Sequence, residues 1–433
     1  MRIAIVGAGI IGVTTAYELA ADGHEVTVFE RRGAAAEETS FANAGVIAPG
    51  AVTPWAAPGM PAKVAKYLFS AHAPVRLAFP LTVHELRWMW QWWRACRLDL
   101  YLANRARLQR LAFYSRARLH RLTEDLELEY DRSPGYMVLL RSEKDARLVQ
   151  PGLQVLRDAG VPFSEIGAAQ ARTVEPALNP DTGFLGAIHL PEDEVGNCRQ
   201  FALLLKNVAQ GLGARFEFNT TVAPLDSAAP ASLLVVAADG AAQRREFDAV
   251  VVCGGVDSAA LLRPLGMQVP LAAVHGYSIS APIREALNAP RSALMDERYK
   301  VAISRMGNRV RVAGSAEIGG APGARRPAAI QTLYKVLHDW FPGAAQLSNT
   351  GAGVQEWKGA RPDIRSATAR ALPQLSAQPL EPWPRLIHTP GMPVAPSKGG
   401  PSGSIGRAPF HSCTPAPVLL SWAAPGNQSC STL

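Results

Sequence analysis

The residues best suited to chemistry stand at the start of the chain. Gly7, Gly9 and Gly12, with Ala8, Ile10 and Ile11 between them, spell G-x-G-x-x-G, and Glu30 lies further on. This pattern can hold a dinucleotide. The first glycine makes a tight turn, the second lets the backbone approach a pyrophosphate, and the third lets a helix pack closely on a strand. A helix beginning here offers free N–H groups and a positive dipole end to phosphates. An acid at Glu30 accepts hydrogen bonds from a ribose 2′-OH, which argues against a 2′-phosphorylated nicotinamide cofactor. Arg31 beside it is a further candidate contact.

The chemistry needs those residues in a fixed order of elements, and the chain supplies it. Arg2–Val6 is a short apolar run of the buried parallel-strand kind. Val13–Ala21 is a good helix former that Gly23 stops, and Glu25–Phe29 is a second strand with Glu30 at its end. The next stretch, Glu38-Thr39-Ser40-Phe41-Ala42-Asn43-Ala44-Gly45, is a loop of small and polar residues where ribityl and phosphate groups would run. Ser40 and Asn43 are candidate hydrogen-bonding groups, and Ala44 and Gly45 leave room for a close approach. Much later, Asp248–Cys253 forms a buried strand that ends in Gly254 and Gly255. Two glycines there let the backbone lie close to a diphosphate or ribose. Cys253 has no neighbour that would lower its pKa, so it reads as a small core residue.

Composition bounds the rest. The chain has 433 residues, 48% of them hydrophobic, enough for two or three domains with large cores. The dinucleotide pattern begins at residue 1 with no signal peptide before it, so the expectation is a cytoplasmic protein. No apolar run reaches about 18 residues, so no membrane-spanning helix is expected. Five scattered cysteines without metal spacing point to reduced thiols and no structural zinc. The net charge of +8 fits attraction to anionic substrates or a membrane surface. Without a basic run interleaved with aromatics it does not argue for nucleic acid.

Residues 62–125 read as helical and rich in Trp and Arg. Trp88, Trp90, Trp92 and Trp93 cover more than one helix face. They read as core and interface residues, with a membrane-interface contact beside Arg94, Arg97, Arg105 and Arg107 as the alternative. Strands are expected at Gly135–Leu140 and Gly186–Pro191, and helices at Ser142–Ala159 and Arg199–Leu212. Glu192, Asp193 and Glu194 read as a solvated turn rather than metal ligands. Ala214–Asn219 and hairpin partners up to Phe247 precede the strand before Gly254. Pro270–Ile318 alternates as successive antiparallel strands, and Gln331–Phe341 is a helix.

Several runs carry a family resemblance. They are the glycine turn, Glu38–Gly45, Thr53–Gly59, Val274-His275-Gly276-Tyr277-Ser278-Ile279, Met295–Arg305, Arg311–Glu317 and Glu356-Trp357-Lys358-Gly359-Ala360-Arg361-Pro362. Together they resemble the small subunit of bacterial D-amino acid dehydrogenase, within the D-amino acid oxidase superfamily of FAD enzymes. His275 stands where that family commonly has Lys. The resemblance, with the late strand ending at Gly254 and Gly255, turns the dinucleotide expectation from NAD to FAD. It implies an α/β fold: a doubly wound FAD-binding domain with a mixed-sheet (α+β) substrate domain roofing the flavin. The implied segments are 1–85 and 195–265 for the FAD domain, 86–194 and 266–349 for the substrate domain, and 350–433 for an atypical C-terminal part.

The resemblance also implies the activity: oxidative deamination of a D-amino acid to a 2-oxo acid and ammonia, with hydride passing from Cα to the flavin. Electrons would go to a quinone or other respiratory acceptor at the inner face of the cell membrane. Arg361 would bind the substrate carboxylate, because a planar guanidinium can pair with it bidentately. Tyr277 and Tyr299 are the polar-aromatic candidates for the substrate pocket. A glycine- or sarcosine-type oxidase using O2 is the alternative enzyme.

After Pro362 the pattern changes. Twelve of the 34 prolines lie in the last 71 residues, and the family's closing loop and helix are missing. Taking the third base of each codon with the first two of the next, Pro373–Pro379 and Pro390–Pro393 permit family-like runs, including Gly-His-Ala. The resulting expectation is a frameshifted C-terminus and an inactive remnant as the second alternative.

Overall fold

In the computed structural model the described residues are 1–67, 73–320, 326–345 and 355–358. Strands β1 (Arg2–Val6) and β2 (Glu25–Phe29) enclose helix α1 (Ile10–Ala21), as the sequence pattern requires. A short helix α2 (Thr39–Ala42) leads to β3 (Val46–Ile47). Then come α3 (Met60–Tyr67), β4 (Val75–Ala78), α4 (Val83–Ala95) and the long α5 (Leu98–Asp125). Thr82 and Glu85 form a capping box that fixes where α4 begins. The chain continues through β5 (Arg132–Leu140), α6 (Glu143–Asp158), β6 (Ser164–Gly167), α7 (Ala168–Val174) and β7 (Gly186–Gly196).

Helix α8 (Cys198–Gly211), capped by Asn197, returns the chain to the first sheet. There follow β8 (Arg215–Glu217), β9 (Thr221–Val222), β10 (Ser232–Val236), β11 (Ala242–Glu246), β12 (Ala249–Val252) and α9 (Ser258–Leu262). The last elements are β13 (Val274–Pro282), β14 (Ala293–Asp296), β15 (Val301–Met306), β16 (Arg309–Gly319), α10 (Pro327–Trp340) and β17 (Gln355–Lys358).

The first sheet runs β12-β1-β2-β8, all parallel. Its strands alternate between two cores, as a period of two demands. Ile3, Ile5, Val26 and Val28 pack against α1 and α8, with Val13, Phe201 and Leu205. Ala4, Val6 and Phe29 face the opposite way, onto Val222, Leu233 and Val235 of the small antiparallel layer β11-β10-β9. Both faces of the parallel sheet are thereby covered, which such sheets need.

The second sheet is mixed and ten-stranded. Its path is β17-β13-β16-β15-β14-β5-β7-β3, with β4 on β16 and β6 on β7. One face packs on α10 through Leu333, Val336, Leu337 and Trp340, with Tyr277, Ile279, Val301, Ile303 and Val312. The other meets Ala44, Val46 and Ala48 and helix α6 through Tyr136, Met295, Ala302 and Ala313. This is the mixed α/β architecture expected. Strands β3 and β4, which lie within segment 1–85, hydrogen-bond into this second sheet.

Three readings need correction. Residues 62–125 are not helical throughout, because β4 interrupts them and pairs in parallel with β16. Glu192, Asp193 and Glu194 are not a turn but lie inside β7. Hydrogen-bonding partners on α5 let the acidic run stay extended: Arg116 donates to the Glu192 carbonyl at 2.8 Å and lies 3.6 Å from Asp193, and His120 sits 2.6 Å from Glu194. The four tryptophans are not all interior. Trp88 is buried and Trp92 partly so, but Trp90 and Trp93 are exposed. Among the described residues no helix is long and apolar enough to cross a membrane, and no group of three or more His, Cys, Asp or Glu could hold a metal ion.

Candidate functional site

The glycine turn shows which glycines the chain itself requires. Gly7 has φ +104°, and a Cβ there would lie 2.6 Å from the Cys253 carbonyl oxygen. A Cβ on Gly12 would fall 1.8 Å from the Gly7 oxygen. Both positions are closed to any side chain. Gly9 differs. Its backbone is ordinary (φ −68°, ψ 180°), and a Cβ would meet only the Ser40 hydroxyl, at 3.5 Å. Nothing in the described protein forbids a side chain at Gly9, so the open space beside it is left for another group. Gly9 is also the N-cap of α1 and caps it with no side chain, so the positive end of a twelve-residue helix faces that space.

The other predicted residues gather around this turn. Glu30 reaches back, its Oε2 accepting from the Ala8 N–H at 2.7 Å and its Oε1 from the Arg32 N–H at 2.9 Å. Each oxygen keeps a second lone pair for a ribose hydroxyl. Burial pushes the Glu30 pKa up, against the pull of those N–H groups. Ser40 brings its hydroxyl to the Ile10 N–H at 3.0 Å, directly at the start of α1. Ile10 is buried beneath the turn and Ile11 packs against the same core. Arg31 is engaged by Glu38 at 2.7 Å and Asp257 at 2.8 Å, and so ties the end of β2 to the turn holding Gly254 and Gly255. That turn follows β12, and the Cys253 N–H just past the strand donates to the Val6 carbonyl at 2.8 Å. Burial raises the Cys253 thiol to about 11, consistent with a packing role.

Asn43 acts inside its own loop. Its Oδ1 accepts from the Gly45 N–H at 2.9 Å and its Nδ2 donates to the Ser40 carbonyl at 3.1 Å. Ala44 is buried, and Gly45, at φ +72°, crosses β7 so closely that a Cβ would lie 2.6 Å from the Gly196 oxygen.

The sheet face opposite this loop was missed by sequence reasoning. Arg311 on β16 donates from Nη1 to the Phe41 carbonyl at 2.7 Å and the Asn43 carbonyl at 3.1 Å, and from Nε to the Ser280 hydroxyl at 2.9 Å. It therefore fastens the cofactor-side loop to the second sheet. Enclosure of the guanidinium, then repulsion from Arg309, lowers its pKa to about 10. Ser280 and Ser304 are both register partners of Arg311, so their side chains share its face, and Ser278 lies two residues along from Ser280. The Ser278 and Ser304 hydroxyls are buried and have no hydrogen-bond partner among the described residues. The alternation Tyr277-Ser278-Ile279-Ser280 was the available signal: small hydroxyls repeated on one face of an otherwise apolar strand.

The predicted substrate residues do not converge. Tyr277 is buried on the α10 face, its hydroxyl donating to the Glu317 carboxylate at 3.3 Å, and Glu317 lies 3.4 Å from Arg326 just before α10. Burial, then the Glu317 charge, raises the Tyr277 pKa. Tyr299 packs towards the other end of α10, with Arg141 and Lys335 over its ring. Arg141 is in turn fixed by Asp296 at 2.7 Å and Asp339 at 2.8 Å. Arg361 lies outside the described residues.

The open space at Gly9, the N-terminus of α1, a carboxylate and a hydroxyl at the turn, and two hydroxyls on the facing sheet without partners among the described residues make a cradle that fits FAD. The comparisons with known proteins agree. A family model described as FAD dependent oxidoreductase (DAO) matches residues 2–400, running past Pro362. The fold is similar to glycine oxidase from Geobacillus kaustophilus (20% identity, 83% of this chain and 82% of that one, TM-score 0.60). It is also similar to iminodiacetate oxidase from Chelativorans sp. BNC1 (19%, 83% and 83%, TM-score 0.57). A third structure, L-alpha-glycerophosphate oxidase from Mycoplasma pneumoniae with FAD bound, aligns at 18% identity over 84% and 86% with TM-score 0.54.

Proposed function

The chain belongs to the DAO family of FAD dependent oxidoreductases, and on that premise we propose that it oxidises a small D-amino acid, of the D-alanine kind, to a 2-oxo acid and ammonia. The observation that carries the reading is a pairing of two motif-bearing strands. β17 pairs with β13 in the register Lys358 to Tyr277, and the run Gly359-Ala360-Arg361-Pro362 continues from β17 in sequence. Glycine oxidase and iminodiacetate oxidase, similar in fold, are named for amine substrates, which supports an amine here; glycerophosphate oxidase, also similar in fold, is named for another class.

The roles divide as follows. Arg361 binds the substrate carboxylate and so fixes the direction of Cα–H. The glycine turn, α1, Glu30 and Ser40 hold the cofactor, and Arg311 holds the loop that carries Ser40. FAD, when bound, supplies the two-electron acceptor for the Cα hydride. If the amine binds neutral, no side-chain base is required, and water completes deamination of the imine. The acceptor of the electrons is a quinone or other respiratory carrier, reached by peripheral contact with the membrane.

The test is turnover of the FAD-loaded protein on D-alanine, L-alanine, glycine and sarcosine, each with a soluble quinone and with O2. The reading expects 2-oxo acid and ammonia from D-alanine with the quinone. Turnover confined to glycine or sarcosine with O2 would replace it with the oxidase reading. A remnant without turnover is favoured by one observation, the loss of family motifs after Pro362. The family match to residue 400 weighs on the other side. The coding DNA decides: the shifted frame between Pro362 and Val394 either stays open and encodes Gly-His-Ala, or it does not.

A further inference from the structure

Helix α4 carries two apolar faces, and among the described residues only one of them is packed. Trp88, Met89 and Trp92 pack with Val75, Val274 and Ile318 of the second sheet. Val83, Leu86, Trp90 and Trp93 point to solvent, at 82%, 50%, 54% and 52% exposure, and Phe79 just before the helix is 79% exposed. At about 100° per residue these four helical positions fall within an arc of about 80°. They form one stripe, and the Trp90 and Trp93 rings lie 5.0 Å apart along it. Leu98 at the start of α5 and Met267 are exposed too, and Met267 neighbours Gln268, which accepts from Arg87 at 3.4 Å.

A charge pattern accompanies the stripe. Arg94 and Arg87 flank it, about 20° and 40° beyond Val83 on the same wheel, and both are exposed. Residues 83–121 hold nine arginines, no lysine and only two acids, Glu85 and Asp99. That is a net +7 by sequence; Arg105 is buried and Arg116 and Arg118 pair with Asp193 and Glu18, while Arg97, Arg107, Arg110 and Arg121 are exposed as Arg87 and Arg94 are. A partner protein could cover an apolar stripe, but it would not by itself call for this concentration of one charge. Aromatic side chains at an interface, edged by arginines, match a layer with an apolar interior and an anionic surface.

We propose that the exposed face of α4, formed by Val83, Leu86, Trp90 and Trp93 with Arg87 and Arg94 beside it, docks the protein onto an anionic lipid membrane. The helix lies in the interface and does not span it, since no described helix is long and apolar enough to cross. The inference rests on the respiratory-acceptor reading for its purpose and names the surface through which that reading would work.

Vesicle binding tests it without requiring turnover. The full chain is sedimented with vesicles of phosphatidylcholine alone and with phosphatidylglycerol added, and tryptophan emission is followed in parallel. The expected result is binding to the anionic vesicles with a blue shift, weakened by salt. The double variant W90S/W93S should partition on the order of tenfold more weakly, and R87Q/R94Q should lose the preference for anionic lipid. These positions are exposed, so both variants should keep the parent's melting temperature. Equal vesicle binding by parent and W90S/W93S overturns the inference, as does no binding by the parent. A parent dimer that W90S/W93S abolishes, with no lipid effect, assigns the face to self-association and overturns it too. If vesicles bind but D-alanine is not oxidised, the function reading fails and the docking face stands.

Discussion

Gly9 and Gly12 belong to one motif, yet the structure separates their roles, and substitution to alanine should separate them in solution. At Gly12 a Cβ would sit 1.8 Å from the Gly7 carbonyl oxygen, which is backbone and cannot swing aside. Helix α1 would have to lift from β1, a cost of about 3 kcal/mol or more. At Gly9 the added Cβ makes an ordinary 3.5 Å contact with Ser40, at a backbone conformation alanine adopts freely. The apo protein should then change by about 1 kcal/mol or less, since alanine gains from a stiffer unfolded chain what it loses as a poorer N-cap. The cofactor should feel the opposite order. A methyl group in the opening holds the pyrophosphate off the turn, and losing one charge-assisted hydrogen bond costs about 1.5–3 kcal/mol. That is roughly a ten- to hundredfold rise in Kd for FAD. The assay pairs apo-protein thermal unfolding with flavin titration. G9A should melt like the parent and bind FAD weakly, and G12A should melt several degrees lower. The reasoning is refuted if G9A keeps the parent's FAD affinity, or if G9A loses apo stability as G12A does.

Other consequences follow from single residues. R311M removes two hydrogen bonds that hold the Phe41–Asn43 loop and one to Ser280 that braces the guanidinium, so FAD should bind on the order of tenfold more weakly and the loop should be cleaved faster by protease; R311K should recover part of both. Burial raises Asp193 to about 7, far above an unfolded aspartate, so the folded chain holds a proton there that the unfolded chain has lost. Stability should therefore fall as pH rises from about 4 towards 7, and D193N should flatten that part of a melting-temperature profile; an unchanged profile would remove Asp193 from the account. R361L should lower kcat/KM for D-alanine by several kcal/mol of transition-state stabilisation while leaving flavin content intact.

The FAD side of the fold was legible because its chemistry is local. Strand, glycine turn, helix, strand and acid follow one another within thirty residues, and the period-two alternation of Ile3, Ile5 against Ala4, Val6 is realised in two separate cores. Less local features escaped. Arg311 acts 270 residues from Phe41 in sequence, and only the tertiary fold brings a β16 side chain to an N-terminal carbonyl. Glu192–Glu194 read as a turn because three adjacent acids repel, but Arg116 and His120 approach from a helix 74 to 76 residues earlier. Tyr277 and Tyr299 were legible only as polar aromatics; that both pack into the core under α10 was not visible from strand patterns. The tryptophans of α4 were ambiguous for a physical reason: one helix can be apolar on two faces, and sequence does not say which of them another element will cover.

The central claim is that a D-amino acid delivers its Cα hydride to FAD held by this chain. Its most direct measurement is the visible spectrum of the FAD-loaded protein, without oxygen, on mixing with D-alanine or L-alanine. The account predicts loss of the oxidised flavin band, at about 450 nm, with D-alanine and not with L-alanine, with one 2-oxo acid formed per flavin. A flavin-loaded protein whose band persists with D-alanine, or fades equally with L-alanine, contradicts it.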